Sequence, residues 1–182
     1  MYTTTLPGPQ DGPAIAGLLD RAFGTARTHK SSYRLRGSTP AVADLARVAR
    51  DGQGAIIGTI SYTPVLIGLS AAPALLLGPL AVEPRLSGLG IGRSLIGTTV
   101  DLARYLGHAR VVLVGEPAYY LPLGFEPAHR YAIGVAGERP DRVLAQALTA
   151  GAFVGVTGTV RAVCPSQPLP SPFAPPGTAL SP

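Results

Sequence analysis

Three glycines, Gly88, Gly90 and Gly92, alternate between a segment that predicts a strand and one that predicts a helix, and no other feature restricts the fold as much. The preceding residues 75–82 are apolar, and from Arg93 onward apolar residues recur at helical spacing. Glycines lack the Cβ atoms that hold a ligand away from the backbone, and the first N–H groups of a helix have no partner within it. We therefore expect this junction to bind a phosphate. The predicted apolar face of the helix comprises Leu95, Leu102 and Leu106.

Two common nucleotide-binding motifs do not fit the glycine run. A dinucleotide fold requires Gly-x-Gly-x-x-Gly, but counting from Gly88 the last position is Arg93, and no acidic residue lies near position 110. A P-loop ends in Gly-Lys-Ser/Thr, whereas the only lysine is Lys30. A glycine-rich turn without a ligand stays open as an alternative, although three glycines at this spacing lower strand and helix propensity without a structural return.

Length and composition predict one cytoplasmic α/β domain. A chain of 182 residues buries roughly 70% of the surface that its unfolded form exposes. The charged fraction of 14% and the hydrophobic fraction of 46% argue against disorder. No apolar run approaches the ~20 residues that cross a bilayer, and the N-terminal residues do not resemble a secretory signal.

The basic residues do not predict nucleic-acid binding. The net charge is +5, but the 15 basic residues, all but one of them arginine, are scattered along the chain. One local cluster either flanks an anionic ligand or forms the solvated face of a short helix. Its members are Arg27, His29, Lys30, Arg34 and Arg36. No metal site is expected, because the three histidines His29, His108 and His129 lack ligand spacing and Cys164 is the only cysteine.

The N-terminal half predicts a strand, two helices and three antiparallel strands. Residues 2–5 form the first strand, and residues 25–40 contain a second short helix. Strands at 45–50 and 54–67 form a hairpin around Asp51 and Gly52, because Asp-Gly supplies the positive φ angles of a tight turn. Residues 74–82 pair next, and Pro79 predicts a bulge or splay beside Gly78. The first helix ends at Gly24, and its apolar stripe is Ile15, Leu18, Leu19 and Phe23.

In the C-terminal half, residues 110–115 have the continuous apolar character of a central strand. Residues 117–123 predict a short helix or turn, residues 124–134 a strand region, residues 140–148 a helix and residues 155–163 a last strand. Seven of the eighteen residues from Pro165 onward are proline, which predicts an extended tail over residues 164–182.

Four segments together resemble the GNAT superfamily of acetyl-CoA-dependent N-acyltransferases, in particular its bacterial group of predicted N-acetyltransferases. They are residues 77–84, the glycine run, residues 117–125 and residues 155–160, within a resemblance that spans about residues 2–161. The resemblance implies an α/β (α+β) fold with a central mixed, mostly antiparallel sheet flanked by helices. This sheet is splayed between the strands ending near Val82 and Val114. The domain would occupy residues 1–163 and leave the proline-rich tail at 164–182.

The resemblance also implies acetyl-CoA as the cofactor, with its pantetheine along residues 80–82 and its pyrophosphate on the glycine run. The family pattern Gln/Arg-x-x-Gly-x-Gly/Ala aligns with Ser87, Gly90 and Gly92, so Ser87 replaces the usual side chain, and Leu89 stands where Arg or Lys is common. Losing such charge-assisted contacts costs about 1–2 kcal/mol, or roughly tenfold in affinity. The implied cofactor contacts are Leu80, Ala81, Val82, Ser87, Gly88, Leu89, Gly90, Ile91, Gly92, Arg93 and Ser94.

By the same resemblance, an amine attacks the thioester directly. Tyr120 lies five residues before Phe125 and matches the family tyrosine that protonates the leaving thiolate. Glu83 is the candidate base, with Glu116 and His129 as alternatives. The expected acceptor is a small-molecule or peptide amine, without nucleic acid or membrane, and a homodimer stays open. The alternative function is a non-catalytic module that binds acyl-CoA or CoA, or assembles with a partner.

Overall fold

The computed structural model describes residues 1–29 and 31–163, without the side chain of Ser31. The predictions for Lys30, Cys164 and the proline-rich tail at 164–182 lie outside these residues. The described strands are β1 (Thr3–Thr5), β2 (Arg47–Arg50), β3 (Ile56–Ile67), β4 (Ala72–Val82), β5 (Arg110–Val114), β6 (Glu126–Pro127), β7 (Ile133–Gly134), β8 (Val143–Ala147) and β9 (Gly158–Ala162). The described α-helices are α1 (Gly12–Phe23), α2 (Ser31–Arg36), α3 (Ile91–Tyr105) and α4 (Pro117–Tyr120).

The strands form one mixed and mostly antiparallel sheet, as predicted. Its main path runs β1-β2-β3-β4-β5-β8-β6, and β9 pairs with both β3 and β7. The neighbours along the main path are antiparallel except β4 and β5, which run parallel because α3 crosses between them. The carboxyl ends of β4 and β5 therefore lie at the same edge of the sheet.

The sheet opens at the position that Pro79 predicts. Gly78 and Pro79 on β4 both lie opposite Ser61 of β3, because the register of this pair shifts there. β4 and β5 pair only at Leu75 and Leu76, although β4 continues to Val82. The predicted bulge and the predicted splay are therefore confirmed.

Helices cover both faces of the sheet. Val48 and Ala49 are neighbours on β2 and so point to opposite faces. Val48 packs with Leu18 and Leu19 of α1, whereas Ala49 packs with Leu95 of α3. Full burial of a side chain such as Leu95 contributes about 1.5–3 kcal/mol. Within residues 1–29 and 31–163, no helix combines the length and the apolar character that crossing a membrane requires.

Two of the predicted apolar faces are only partly correct. Phe23 is 41% exposed at the end of α1, where it borders the cavity described below. Leu102 and Leu106 are only half-buried, because the leucine row lies along one border of the buried face of α3. That face consists of Ile91, Gly92, Leu95, Ile96, Thr99, Val100 and Ala103.

The helix predicted at 140–148 is wrong. A 3₁₀ turn at Pro140–Arg142 leads into strand β8, whose Val143, Leu144 and Ala145 are fully buried against β5. Good helix formers occupy this segment, but the open edge of β5 needs backbone partners, and that tertiary demand overrides local propensity.

Three further segments differ from the predictions in detail. The β2–β3 turn takes its positive φ at Gly54, at +84°, and not at Gly52. Asp51 instead accepts hydrogen bonds from the N–H groups of Gln53 and Ala55, which makes the loop longer than a two-residue hairpin. The strand region at 124–134 consists of only the two-residue strands β6 and β7 around a 3₁₀ turn. The last strand, β9, is shorter than predicted.

Candidate active site

A cavity of about 1120 Å³ lies where β4 and β5 diverge. Its walls come from residues far apart in sequence: the end of β4, the start of α3, the segment from Val114 to α4, helix α2, and the loop containing Gly137 and Glu138. The topology brings them together because both parallel strands end at this edge of the sheet. The cavity is large enough for an extended ligand with separate polar and apolar parts.

The glycine run forms one end of this cavity with backbone groups. Gly88 and Gly90 have φ angles of +84° and +80°, a conformation that other residues rarely adopt. The carbonyl of Gly90 accepts the first hydrogen bond of α3, from the Ser94 N–H at 2.9 Å. The N–H groups of Ile91, Gly92 and Arg93 therefore precede the intrahelical ladder and can donate to an anion.

Gly92 is needed for a different reason from the other two glycines. It is buried and helical, and a Cβ atom on it would overlap the hydroxyl of Tyr119. Burial raises the pKa of Tyr119, while the nearby Arg93 acts in the opposite direction. The Tyr119 hydroxyl thus lies at the start of α3, beside the predicted pyrophosphate position.

Tyr120, the last residue of α4, borders the cavity at which the strands diverge. Its ring contacts Phe125 edge-on at 5.7 Å and Tyr119 at 4.9 Å between ring centroids. Burial, with a smaller effect of Tyr119, holds the pKa of Tyr120 well above its ordinary value. A phenol in this environment keeps its proton at neutral pH, which suits a proton donor better than a proton acceptor.

Of the eleven residues predicted to contact the cofactor, nine border this cavity. The other two are Leu89, which is 68% exposed, and Ser94, which is exposed on α3. The nine residues are Leu80, Ala81, Val82, Ser87, Gly88, Gly90, Ile91, Gly92 and Arg93.

The carboxylate predicted as a base is engaged elsewhere. Arg21 of α1 donates to Glu83 Oε2 from Nε at 3.1 Å and from Nη2 at 3.0 Å, and Glu83 is not among the residues that border the cavity. Glu116 and Glu138 do border it, and Glu116 pairs with Arg142 at 3.2 Å. His129 is exposed and also lies outside the cavity lining.

In the described part of the chain, three members of the basic cluster border the cavity, and the fourth forms an ion pair away from it. Arg27 pairs with Asp20 at 3.1 Å, and Arg36 donates to the Gly78 carbonyl at 3.0 Å. Arg36 also borders the cavity, as do His29 and Arg34. In residues 1–29 and 31–163, no group of three or more acidic, histidine or cysteine side chains is arranged to hold a metal ion.

Sequence reasoning missed several residues of the cavity. Ser32, Tyr33 and Glu138 carry no motif, and only the packing of α2 and a distant loop brings them to β4. Gly115 had a detectable signal, because a glycine directly after a buried strand often marks a close approach. A Cβ atom on Gly115 would overlap the Tyr120 ring.

Comparison with known proteins identifies the family. The family model for the acetyltransferase (GNAT) family matches residues 13–125. The uncharacterized N-acetyltransferase YhbS of Escherichia coli is 31% identical over 153 residues, which cover 84% of this chain and 90% of that protein. The crystal structure of YhbS in complex with CoA superposes with a TM-score of 0.79 at 29% identity, covering 89% of each chain. A GNAT acetyltransferase of Brucella melitensis, solved with acetyl-CoA, shares the fold with a TM-score of 0.66 at 24% identity, covering 90% of this chain and 96% of that chain. The chain therefore belongs to the GNAT family of acetyltransferases.

Proposed function

We propose that this protein transfers an acetyl group from acetyl-CoA to an amine of a small molecule or peptide. The observation that carries the proposal is the position of Tyr120, which borders the same cavity as the start of α3 and the splayed end of β4. The CoA and acetyl-CoA complexes of the YhbS and Brucella structures support the choice of cofactor. Nothing in the cavity favours the non-catalytic alternative.

The residues present fit acetyl-CoA along the whole cavity. The free N–H groups of Ile91, Gly92 and Arg93 suit a pyrophosphate, because a helix start carries partial positive charge. The backbone of residues 80–82 continues beyond the last pairing of β4 with β5, so it offers ladder groups to a pantetheine chain. When bound, acetyl-CoA supplies a thioester whose carbonyl carbon is open to attack by an amine.

The reaction then requires two proton transfers, one to the sulfur and one from the amine, in which residues of this chain take part. Tyr120 holds a proton that it can donate to the sulfur as the C–S bond breaks, and it regains that proton from solvent. The amine must lose a proton as its nitrogen forms the new C–N bond. We assign that proton, through water, to the carboxylates bordering the cavity, Glu116 and Glu138. The earlier candidate, Glu83, stays a prediction, which a variant tests below.

Binding and turnover together test the proposal. Acetyl-CoA should raise the Tm of the purified protein, and at least one amine from a panel of small amines and peptides should release free thiol. Tyr120→Phe should lower turnover about 10²-fold and leave acetyl-CoA affinity nearly unchanged. Tyr105→Phe is the matched control, since Tyr105 is 86% exposed on α3. Binding without thiol release from any amine would favour the non-catalytic module, and unchanged turnover in Tyr120→Phe would remove Tyr120 from the mechanism.

A further inference from the structure

Arg36, the last residue of α2, is bound to the bulge of β4. Its Nε donates to the Gly78 carbonyl at 3.0 Å, and its Nη1 donates to the Ser32 carbonyl within α2 at 2.8 Å. The Ser61 hydroxyl donates to the same Gly78 carbonyl at 3.2 Å. One carbonyl of the bulge is therefore held from two sides, by a helix and by the neighbouring strand.

The bulge depends on such contacts. Gly78 and Pro79 share one partner position on β3, so the Gly78 carbonyl cannot join the regular ladder there. A buried carbonyl without a donor is costly, by about 1–3 kcal/mol. Gly78 has a φ of +115°, and a Cβ atom on it would come within 2.9 Å of Arg36 Nη2. The glycine, the bulge and the arginine are therefore in direct contact, and the positive φ favours glycine at position 78.

The charge of Arg36 is stabilised without a carboxylate. In the described part of the chain, Arg36 forms no salt bridge, and its guanidinium lies over the Tyr33 ring at 4.8 Å from the centroid. Burial lowers the pKa of Arg36 to about 10, which still leaves it cationic at neutral pH. Carbonyl oxygens and an aromatic face thus hold a buried cation at the point where β4 leaves β5.

We propose that Arg36 is a positioning residue that fixes the course of residues 80–82 for the pantetheine part of CoA. The inference rests on the proposed function, because it assumes that CoA lies along this strand. Ser32 and Tyr33 of the same helix border the cavity, so Arg36 also ties one wall of the cavity to the strand that pairs with pantetheine. If the Gly78 carbonyl were displaced, the backbone N–H and C=O groups of residues 80–82 would turn away from the pantetheine chain.

Comparing the affinities of two ligands distinguishes positioning of the pantetheine strand from a general effect on ligand binding. CoA contains pantetheine, whereas 3′-phosphoadenosine 5′-diphosphate is only its nucleotide part and would reach the glycine run alone. Arg36→Gln should weaken CoA binding about tenfold and change nucleotide binding less than about twofold. Arg161→Gln is the matched control, since Arg161 also donates to a carbonyl, of Gly68 at 3.4 Å, far from the cavity. Calorimetric titration gives both affinities, and Tm values report whether each variant is folded.

Two more variants keep the inference falsifiable if Arg36→Gln unfolds. Ser61→Ala removes the second donor to the Gly78 carbonyl, so it should weaken CoA binding in the same selective way, and the effects of the two changes should not add. Arg36→Lys keeps the charge but replaces the separate Nε and Nη1 donors by a single nitrogen, so CoA affinity should recover only in part.

Three results would overturn the inference. Equal loss of CoA and nucleotide affinity would indicate attraction of phosphate by charge, as would full recovery in Arg36→Lys. Unchanged CoA affinity in folded Arg36→Gln and Ser61→Ala would show that the bulge needs neither donor. Failure of the wild-type protein to bind CoA would reject the proposed function and this inference with it, whereas CoA binding without turnover would reject only catalysis.

Discussion

The ring of Tyr120 packs directly on the backbone of Gly115, leaving no room for a Cβ atom between them. Gly115 follows β5, and its N–H donates to the Arg142 carbonyl at 2.9 Å, so the backbone at this point is held in place. The position of the phenol therefore depends on the absence of a side chain at Gly115, five residues earlier in the chain.

Gly115→Ala should consequently move Tyr120 rather than the backbone. We expect turnover to fall at least about tenfold, with stability lower by about 1–3 kcal/mol from overpacking. Acetyl-CoA affinity should change little, since the glycine run is untouched. Gly97→Ala is the control: a Cβ atom there meets nothing within 4 Å, and alanine favours the helix. Steady-state kinetics and urea unfolding measure both effects, and normal turnover in Gly115→Ala would contradict this reading.

The phenols of Tyr62, which is fully buried, and of Tyr120, which is half-buried, predict a specific response to alkaline pH. Burial raises the pKa of both, while the Tyr62 hydroxyl forms a hydrogen bond with Thr99 Oγ1 at 2.8 Å. The native state therefore holds these protons more tightly than the unfolded state, where tyrosine ionises near about pH 10. Stability should be retained below that pH and decline as the pH rises above it.

The raised pKa of Tyr120 favours catalysis at alkaline pH, because Tyr120 keeps the proton that it donates. The kcat should not decline between about pH 8 and pH 10 through loss of the Tyr120 proton. Urea unfolding at about pH 8 and pH 10.5 should show a smaller alkaline loss in Tyr120→Phe than in the wild type. The raised pKa of Tyr120 would be contradicted by a fall of kcat with an apparent pKa below about 9, if substrate binding does not titrate in the same pH range.

Gly92 and Tyr119 offer a rescue experiment at the start of α3. Gly92→Ala places a methyl group against the Tyr119 hydroxyl, so it should weaken CoA binding about tenfold. Tyr119→Phe removes that hydroxyl and makes room for the methyl group. In the Gly92→Ala background it should therefore restore part of the affinity, and a double-mutant cycle by calorimetry measures the coupling. Strictly additive effects would mean that the two residues do not act on each other.

Glu83→Gln tests the carboxylate that the sequence favoured as a base. Because Glu83 pairs with Arg21 and does not border the cavity, the substitution should change turnover less than about threefold. Loss of this half-exposed pair should lower stability by only about 0–1 kcal/mol. The double variant of Glu116→Gln and Glu138→Gln should lower turnover more at neutral pH, as measured by thiol release. A larger loss in Glu83→Gln than in the double variant would restore Glu83 as the base.

Backbone features of the site were predictable from the sequence. Pro79 cannot donate to a ladder, and the glycine run cannot sustain a strand, so the bulge and the start of α3 follow from local chemistry. Side-chain partners were not predictable in this way. The Arg21 pairing of Glu83 joins residues 62 positions apart, and Arg36 reaches Gly78 across 42 positions.

Strand β8 illustrates the same limit for secondary structure. Its local sequence favours a helix, and only the open edge of β5 makes it a strand. Burial of Val143, Leu144 and Ala145 therefore reflects the assembled sheet and not a periodic pattern. Conversely, the glycine run specifies its own conformation, with positive φ at Gly88 and Gly90, so the start of α3 follows from local sequence.

Ser87 and Leu89 can be changed to the side chains that are common at these positions in GNAT proteins. Ser87 borders the cavity, and Leu89 is 68% exposed, so arginine fits at both without disturbing the core. The added charges would lie beside the N–H groups of α3, where they would attract a pyrophosphate. Ser87→Arg and Leu89→Arg together should strengthen CoA binding up to about tenfold and make it more sensitive to salt.

Leu69→Arg controls for net charge in this experiment. Leu69 is fully exposed at the β3–β4 turn, remote from the cavity, so it adds a charge without a ligand nearby. Calorimetric titration of CoA at low and high salt should separate the local effect from the global one. Equal gains from Leu69→Arg and Leu89→Arg would mean that only net charge matters. No gain from any arginine would show that the backbone N–H groups of Ile91, Gly92 and Arg93 already saturate the pyrophosphate, so that Ser87 and Leu89 are not a deficit.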